Sequence, residues 1–284
     1  MEPVISMNNR NDPAYEERMD DLVREVFGFS FAPWFARGLW DDRYESYSIM
    51  LDGQMAANLC IYKTDLIVSG KPMHAHQYGA VAVRPECRGK GFARRLMEAV
   101  LIKYPDTPAY LAANDNVLGF YPRMGFRRVY LHRPVLAAEV GASAGPAVKV
   151  DPLDKGLWEA LLKRSQYSRA VASLNSEPVE MFHMILDYPD AIYFIPELGC
   201  YVVAEKKGRR LFVADVILDQ HISFTKLKAY LPFSEIREVE FGFCPDHLVV
   251  SPEWMPFDET SSPFFIRGEW TLPEYFRFSE MAET

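Results

Sequence analysis

Six consecutive residues, Arg88-Gly89-Lys90-Gly91-Phe92-Ala93, combine glycines with positive charge at a point where the sequence changes its pattern. The apolar run Val81-Ala82-Val83 before them has the character of a strand, and apolar residues after them recur at helical spacing. A turn that opens a helix leaves backbone N–H groups unpaired and carries the positive end of the helix dipole. The glycines let the backbone approach a bulky group, so the run predicts a binding site for an anion such as a pyrophosphate.

Two common phosphate-binding turns do not fit this run. The GxxxxGK[ST] pattern of P-loop proteins is absent, and so is a GxGxxG turn with an acidic residue about 20 positions later. The pattern that fits is R-x-x-G-x-A directly after an apolar strand, with Arg88, Gly91 and Ala93 at its three fixed positions. In these positions the chain resembles the pyrophosphate loop of the GCN5-related N-acetyltransferase (GNAT) family.

A second segment carries the same resemblance. Asn114, Tyr121 and Gly125-Phe126 have the spacing of the family pattern N-x-x-A-x-x-x-Y-x-x-x-G-F, and Val117 stands where alanine is usual. Two matches in the expected order are more specific than either match alone.

The resemblance implies an enzyme that transfers the acetyl group of its co-substrate acetyl-CoA directly to a primary amine of a small molecule or peptide. It implies that the backbone of Val81-Ala82-Val83 binds the pantetheine arm, that Arg88 to Ala93 hold the pyrophosphate, and that Asn114 contacts the cofactor. Tyr121 is then expected near the sulfur, where a phenol can protonate the departing thiolate. The alternative interpretation of Tyr121 is an aromatic residue that packs a helix against the sheet.

The general base stays open. In several members of the family a carboxylate on the strand before the loop has this role, yet no Asp or Glu occurs between Asp65 and Glu86, where Gln77 and Tyr78 lie. The candidates are Asp41, Asp42, Glu45 and the carboxyl end at Thr284, if the tail reaches the cleft.

No metal site and no disulfide are predicted. His74 and His76 alternate along a strand without a nearby carboxylate in the sequence, which is typical of ordinary strand residues. The four cysteines lie far apart with no CxxC pair, and this spacing favours reduced thiols in a cytoplasmic protein. We interpret Cys87, beside the anion turn, as incidental, because direct transfer needs no acyl-cysteine.

Composition narrows the class of partner. About half of the 284 residues are apolar and a quarter are charged, as in a folded globular protein, and no apolar run approaches the ~18 residues of a membrane span. The net charge of −8 is unevenly distributed: residues 136–284 hold 14 basic and 23 acidic side chains (−9), whereas residues 1–135 hold 17 and 16 (+1). This acidity argues against a nucleic-acid partner; it either favours cationic amines or provides a solubilising surface. The oligomeric state is not predicted.

The predicted elements indicate an α/β fold with a mixed, mostly antiparallel twisted sheet flanked by helices. They include a helix over Asp12 to Phe27, a hairpin at Asp52-Gly53, and helices from near Gly89, over Val117 to Met124 and over Phe224 to Leu231. The second half repeats the order strand, strand, helix, strand, but has Asp219-Gln220-His221 where the glycine turn would lie. We therefore predict an acetyl-CoA-binding domain over 1–136, a linker over 137–150, and a similar but degenerate α/β domain over 151–284.

Two points of function stay open at this stage. The aromatic residues of the tail, from Trp254 to Phe276, either wall the acceptor cleft or fill the core and join the domains. The alternative to an enzyme is a non-catalytic acyl-CoA sensor that kept the cofactor site without turnover.

Overall fold

The computed structural model describes residues 5–7, 10–114, 117–257 and 263–284. Its α-helices, in chain order α1 to α6, are Pro13–Phe27, Ala32–Phe35, Phe92–Lys103, Lys155–Lys163, Glu177–Leu186 and Phe224–Leu227. Its strands, in chain order β1 to β15, are Ile5–Met7, Tyr44–Leu51, Gln54–Val68, Lys71–Val83, Ala109–Ala112, Arg127–Val129, His132–Val140, Val148–Lys149, Val171–Leu174, Ile192–Ile195, Cys200–Lys207, Arg210–Ile217, Ile236–Phe241, Glu253–Pro256 and Phe264–Arg267.

The first sheet has eight strands in the described residues. Its order is β1-β2-β3-β4-β5-β15-β6, and β9 pairs with the far end of β3. Every pairing is antiparallel except that between β4 and β5. The β2–β3 hairpin turns at Asp52 and Gly53, whose φ angles of 50° and 80° are those of a type I′ turn, so the hairpin prediction is confirmed.

In the described part of the chain, the second sheet has seven strands in the order β14-β7-β13-β12-β11-β10-β8. It repeats the arrangement of the first sheet, because two antiparallel hairpin strands lead into one parallel pair, here β12 with β13. Two mostly antiparallel sheets flanked by helices confirm the predicted fold class.

The sheets exchange strands between the two halves of the sequence. β7 follows directly after the first sheet in the chain, yet it pairs with β13 and β14 of the second sheet. In return β15, close to the end of the chain, lies between β5 and β6 of the first sheet. The predicted linker over 137–150 begins inside β7 and contains β8, so the proposed division into domains stays a prediction that the shared strands complicate.

Helix α1 shows why the opening segment folds as predicted. The Asp12 side chain caps its N-terminus by accepting from the Ala14 N–H at 3.0 Å, and Gly28 ends it in the left-handed region at φ 82°. Met19, Leu22 and Val23 are fully buried on its inner face. Capping residues and spacing agree, so this helix could be located from the sequence.

Two predicted helices are shorter than the patterns suggested. The segment 117–124 forms a turn followed by a 3-10 helix over Tyr121–Met124, because Pro122 has no N–H to continue an α-helical ladder. The predicted helix over Phe224 to Leu231 is α only at Phe224–Leu227, in a stretch that Pro232 closes. Tyr121 and Phe224 stay buried in the shortened elements, whereas Val117 and Leu118 are exposed.

The helices in the described part of the chain are all too short or too polar to cross a lipid bilayer.

Candidate functional site

The turn between β4 and α3 has the geometry predicted for an anion site. A short 3-10 helix over Pro85–Cys87 follows β4, and α3 begins at Phe92. Gly89 and Gly91 have φ angles of 76° and 78°, a conformation that residues with a Cβ adopt only rarely. Gly91 is the N-cap of α3, and no side chain in the described residues caps this helix, so its first N–H groups point outward.

A cavity of about 410 Å³ opens in front of this turn. Its walls include Arg88, Gly89, Gly91, Phe92 and Ala93, together with Phe120, Arg123 and Met124 across the opening. Lys90 is exposed and lies outside the lining. The sequence analysis did not predict Arg123, which the 3-10 helix at Tyr121–Met124 brings to the cavity. Its position between Tyr121 and Gly125 of the second motif was the signal that could have indicated it.

A second cavity, of about 530 Å³, continues the first along the sheet. The two share Val83, Arg88, Ala93 and Phe120 as lining residues. The second one also reaches Val81 on β4, Asn114 after β5, and Tyr121. We call the joined space the cleft. The cleft brings together all the predicted site residues except Lys90 and Ala82. Ala82 is fully buried in the sheet. Asp115 and Asn116 of the second motif lie outside the described residues.

Strand β4 bends where it lines the cleft. The register against β3 shifts by one residue between the pairs Asn58↔Ala82 and Cys60↔Gly79, which is a β-bulge. Ala80, in the bulge, has a φ of 45°, and its carbonyl accepts from the Asn58 side chain at 3.1 Å. Strand β5 pairs with β4 only at His76 and Gln77, so the two strands part before the bulge. An opening for a linear group therefore runs beside Gly79 to Val83.

Tyr121 combines packing with a place in the cleft. Its ring lies 5.5 Å from the ring of Phe265 and 6.0 Å from that of Phe126, and only 5% of the residue is exposed. Burial raises the pKa of its phenol to about 12, so the hydroxyl is protonated at neutral pH. The packing interpretation is therefore confirmed, and because Tyr121 also lines the cleft, its role as the acid stays a prediction.

The tail of the sequence lies against β4 inside the cleft. With its amide oriented towards its partners, the fully buried Gln77 accepts from the Thr284 N–H at 2.7 Å and donates to the Ala282 carbonyl at 2.9 Å. A Cβ on Gly79 would lie 2.6 Å from the main-chain oxygen of Thr284. Only glycine at position 79 leaves room for the tail at this distance.

Of the proposed general bases, Thr284 alone lines the cleft in the described residues. Glu45 lies elsewhere, with its carboxylate 2.7 Å from Lys63 Nζ and 2.6 Å from the Tyr47 hydroxyl. Burial opposes ionisation of Glu45, but hydrogen bonds from Lys63 and Tyr47 outweigh it and lower its pKa to about 2. Asp42 is an exposed partner of Arg10, and Asp41 is outside the lining.

The two histidines of β4 have separate surroundings. Exposed His74 lies 2.5 Å from Asp65 on β3, a carboxylate partner that the linear sequence did not show. His76 is buried edge-on against Tyr104 at 4.5 Å, and burial lowers its pKa to about 4. In the described ranges no three metal-binding side chains come together.

The tail aromatic residues belong mainly to the core. Phe264, Phe265 and Phe276 are buried, and Trp254 and Trp270 pack against the cluster that contains Phe264 and Phe276. None of those described lines the cleft. The described part of the second half also has no counterpart of the glycine turn, because β12 leads through Asp219 into the four-residue helix α6.

Comparison with known families gives the first half a match. Residues 11–129 match the model of the acetyltransferase (GNAT) domain. This range contains the glycine turn, β4, β5 and Tyr121. No curated protein matches the chain.

Solved structures show the same fold over almost the whole chain. The chain is similar to a "conserved protein of unknown function" from Enterococcus faecalis, with a TM-score of 0.59 and 16% identity over 94% of this chain and 73% of that one. It is also similar to a GCN5-related N-acetyltransferase from Anabaena variabilis (TM-score 0.58, 14% identity, 93% and 72% covered). Eis1 from Mycobacterium abscessus is similar too, with a TM-score of 0.55 and 15% identity over 93% and 73% of the chains.

Proposed function

Residues 11–129 of this chain match the GNAT acetyltransferase domain, and from this premise we propose that the protein moves the acetyl group of acetyl-CoA to a primary amine of a small molecule or peptide. One observation carries the proposal. The arginine-lined turn and Tyr121 face a single continuous cleft, so an anion held at Arg88 has an open path along β4 to the phenol.

The residues of the cleft divide into binding and chemistry. The N–H groups at the start of α3 and the guanidinium groups of Arg88 and Arg123 hold the pyrophosphate, since both kinds of group favour negative charge. The backbone of Val81 and Val83 and the side chain of Asn114 contact the pantetheine arm beside the parted strands.

Tyr121 serves as the general acid. The amine nitrogen attacks the thioester carbonyl carbon, a C–N bond forms, and the C–S bond breaks. Tyr121 gives its phenolic proton to the departing sulfur, and the amine loses one proton to solvent or a base. The raised pKa keeps this proton available at neutral pH. Cys87 lines the other end of the cleft, at the turn, and takes no part in the transfer.

Thiol release from acetyl-CoA tests the proposal on wild type and on Gly91→Glu, with a panel of primary amines and short peptides. The variant puts a carboxylate where the pyrophosphate binds, so we expect acceptor-dependent release to fall by at least about a hundredfold, mainly through cofactor affinity. Gly208→Glu is the matched control, because Gly208 also has a positive φ and open space but lies in the β11–β12 turn.

Three results separate the alternatives. Release that needs an amine and is lost only in Gly91→Glu supports the enzyme. Binding of acetyl-CoA without release by any amine would point to the acyl-CoA sensor. No binding by wild type would refute the assignment of the turn.

A further inference from the structure

A third cavity adjoins the cleft at the end away from the glycine turn. We call it the aromatic pocket, because Phe29, Phe31, Trp34, Tyr44 and Phe182 line it. It shares Phe29, Ala80 and Thr284 with the cleft and no residue with the space in front of the turn. The three spaces therefore follow one another, with the pyrophosphate site at one end, Tyr121 between them, and the aromatic pocket at the other end.

The pocket is apolar because its aromatic residues use their polar atoms elsewhere. Trp34 donates its indole N–H to the Pro178 carbonyl at 2.7 Å, and the Tyr44 hydroxyl pairs with the Cys60 thiol. Among the described residues, no charged side chain lines the pocket. The adjoining cavity, which extends to Tyr121, has one charged side chain in its described lining, that of Arg88. An ammonium group in the pocket would lose its water and could pair only with the carboxyl end at Thr284, which the pocket shares with the cleft, whereas a hydrocarbon group would gain from burial against the aromatic rings.

Packed rings fix the shape of the pocket. Phe31 lies 5.2 Å from Phe182 and 5.8 Å from Trp34, and Trp34 lies 5.2 Å from Tyr44. Its volume is about 50 Å³. Since a group the size of a water molecule needs roughly 10–15 Å³ of such a cavity, the pocket accommodates roughly three to five carbon atoms. This is the size of an isopropyl or isobutyl group.

The second half of the chain builds one wall. Val179 and Phe182 are on α5, and the Trp34–Pro178 hydrogen bond holds the start of α5 to α2. The second half of the chain, whose described part has no glycine turn, therefore contributes to the site through an apolar face of α5. The described tail aromatic residues do not line the pocket.

We infer that the aromatic pocket holds the apolar side chain of the acceptor, so that the preferred substrates are primary amines with a short branched hydrocarbon group. The inference rests on the proposed acetyl transfer. The cofactor enters from the turn and fills the cleft up to Tyr121, so the amine approaches from the side of Phe29 and Thr284. Its nitrogen then faces the thioester, beside the carboxyl end at Thr284, while its side chain enters the pocket. Polycations are poor acceptors, because no charged side chain among the described lining residues receives their second amino group.

The test is the ratio of kcat/KM values for isobutylamine, methylamine, phenethylamine and putrescine at saturating acetyl-CoA. Wild type should prefer isobutylamine over methylamine and putrescine by about tenfold or more, because filling an apolar pocket by a methylene or two has an effect of this size. Val179→Phe reduces the space and should abolish this preference. Phe182→Ala enlarges the space and should move the preference to phenethylamine.

The two variants act in opposite directions on selectivity, which a loss of folding cannot imitate, since unfolding lowers turnover of every amine alike. Phe233→Ala is the matched control: Phe233 is a half-buried phenylalanine of the same half that packs against Tyr193, away from the pocket. It should leave the ratios unchanged.

The outcomes distinguish this inference from the function on which it rests. Turnover by wild type with equal ratios in all proteins would overturn the pocket assignment and leave the acetyltransferase intact. Variants that change butyryl-CoA against acetyl-CoA use but not the choice of amine would assign the pocket to the acyl chain and also overturn it. No release with any amine would refute the proposed function and this inference together.

Discussion

Tyr121 illustrates how one residue can belong both to the core and to the proposed reaction site. Its ring packs against Phe265, which β15 brings from the end of the chain, while the residue also lines the cleft. A ring held on several sides keeps its hydroxyl at one position, which a general acid needs. Burial has a second effect, because it favours the neutral phenol and raises the pKa.

Tyr121→Phe is predicted to lower kcat by about 10²–10⁴ while leaving the Kd of acetyl-CoA nearly unchanged, because only the proton donor is removed. Stopped-flow or steady-state thiol release gives kcat, and calorimetry gives the Kd. Wild-type kcat should show no alkaline decline up to about pH 10, because a pKa near 12 keeps the phenol protonated there.

Tyr130→Phe is the control for this variant, since Tyr130 is exposed and outside the cleft. An unchanged kcat in Tyr121→Phe would rule out the acid role and leave packing as the function of the ring.

The burial of Tyr121 also makes the stability of the fold depend on pH. The contribution of the neutral phenol is fully present below pH of about 10, the pKa of tyrosine in an unfolded chain, and is lost as the pH rises towards the folded pKa of about 12.

At the level of elements, local patterns were enough to locate the glycine turn between β4 and α3. Gly89 and Gly91 have the positive φ angles that such a turn needs, and the apolar spacing after Phe92 matches the buried face of α3. Helix α1, with Asp12 and Gly28 at its ends, was equally clear. These features depend on residues close together in the sequence, where spacing and conformational preference act directly.

Features that depend on distant segments could not be predicted in the same way. The place of Thr284 beside Gly79, and the insertion of β15 between β5 and β6, join residues more than 100 positions apart. The aromatic pocket draws on α2 and α5, whose separate patterns indicate only apolar faces. Periodicity tells which side of an element is buried, but it does not tell which element will cover that side.

The contact between the tail and β4 gives a prediction for Gly79→Ala. The added methyl group overlaps backbone atoms of Thr284, so the tail must move. We expect a loss of about 1–3 kcal/mol in the free energy of unfolding, as for other overpacked sites, and a fall in kcat/KM because Thr284 lines the cleft. Urea denaturation and thiol release measure the two effects.

Gly141→Ala is the control for Gly79→Ala, since a Cβ at Gly141 meets nothing within 4 Å. Removing Thr284 in the Gly79→Ala background relieves the overlap and should restore much of the lost stability while activity stays low. Two losses that simply add would contradict the proposed contact, because residues in direct contact are expected to couple.

At the scale of the whole molecule, the shared strands and a shared core tie the two halves together. One hydrophobic cluster contains Met19 and Leu22 of α1 together with Leu157 of α4 and Met181 of α5. In the described residues, strand β15 lies between β5 and β6 and pairs with both. Strand β7 lies between β13 and β14 in the same way. The predicted boundary at 137–150 therefore does not divide the packing into two independent parts.

This arrangement predicts that the full chain unfolds in one transition. Phe265→Ala removes a fully enclosed ring of β15 that contacts Tyr121 in the first half, so it should destabilise the protein by about 3–5 kcal/mol. Calorimetry should show a single transition at a lower Tm, and hydrogen exchange should accelerate together in β3 of the first sheet and β12 of the second. Two transitions, of which the variant moves only one, would show instead that each sheet folds alone and that the exchanged strands are a secondary attachment.

The fragment 1–136 gives a second test of whether the two halves fold together. The fragment lacks β15, so β5 and β6 have no strand between them, and we expect circular dichroism and proteolysis to report an unfolded chain.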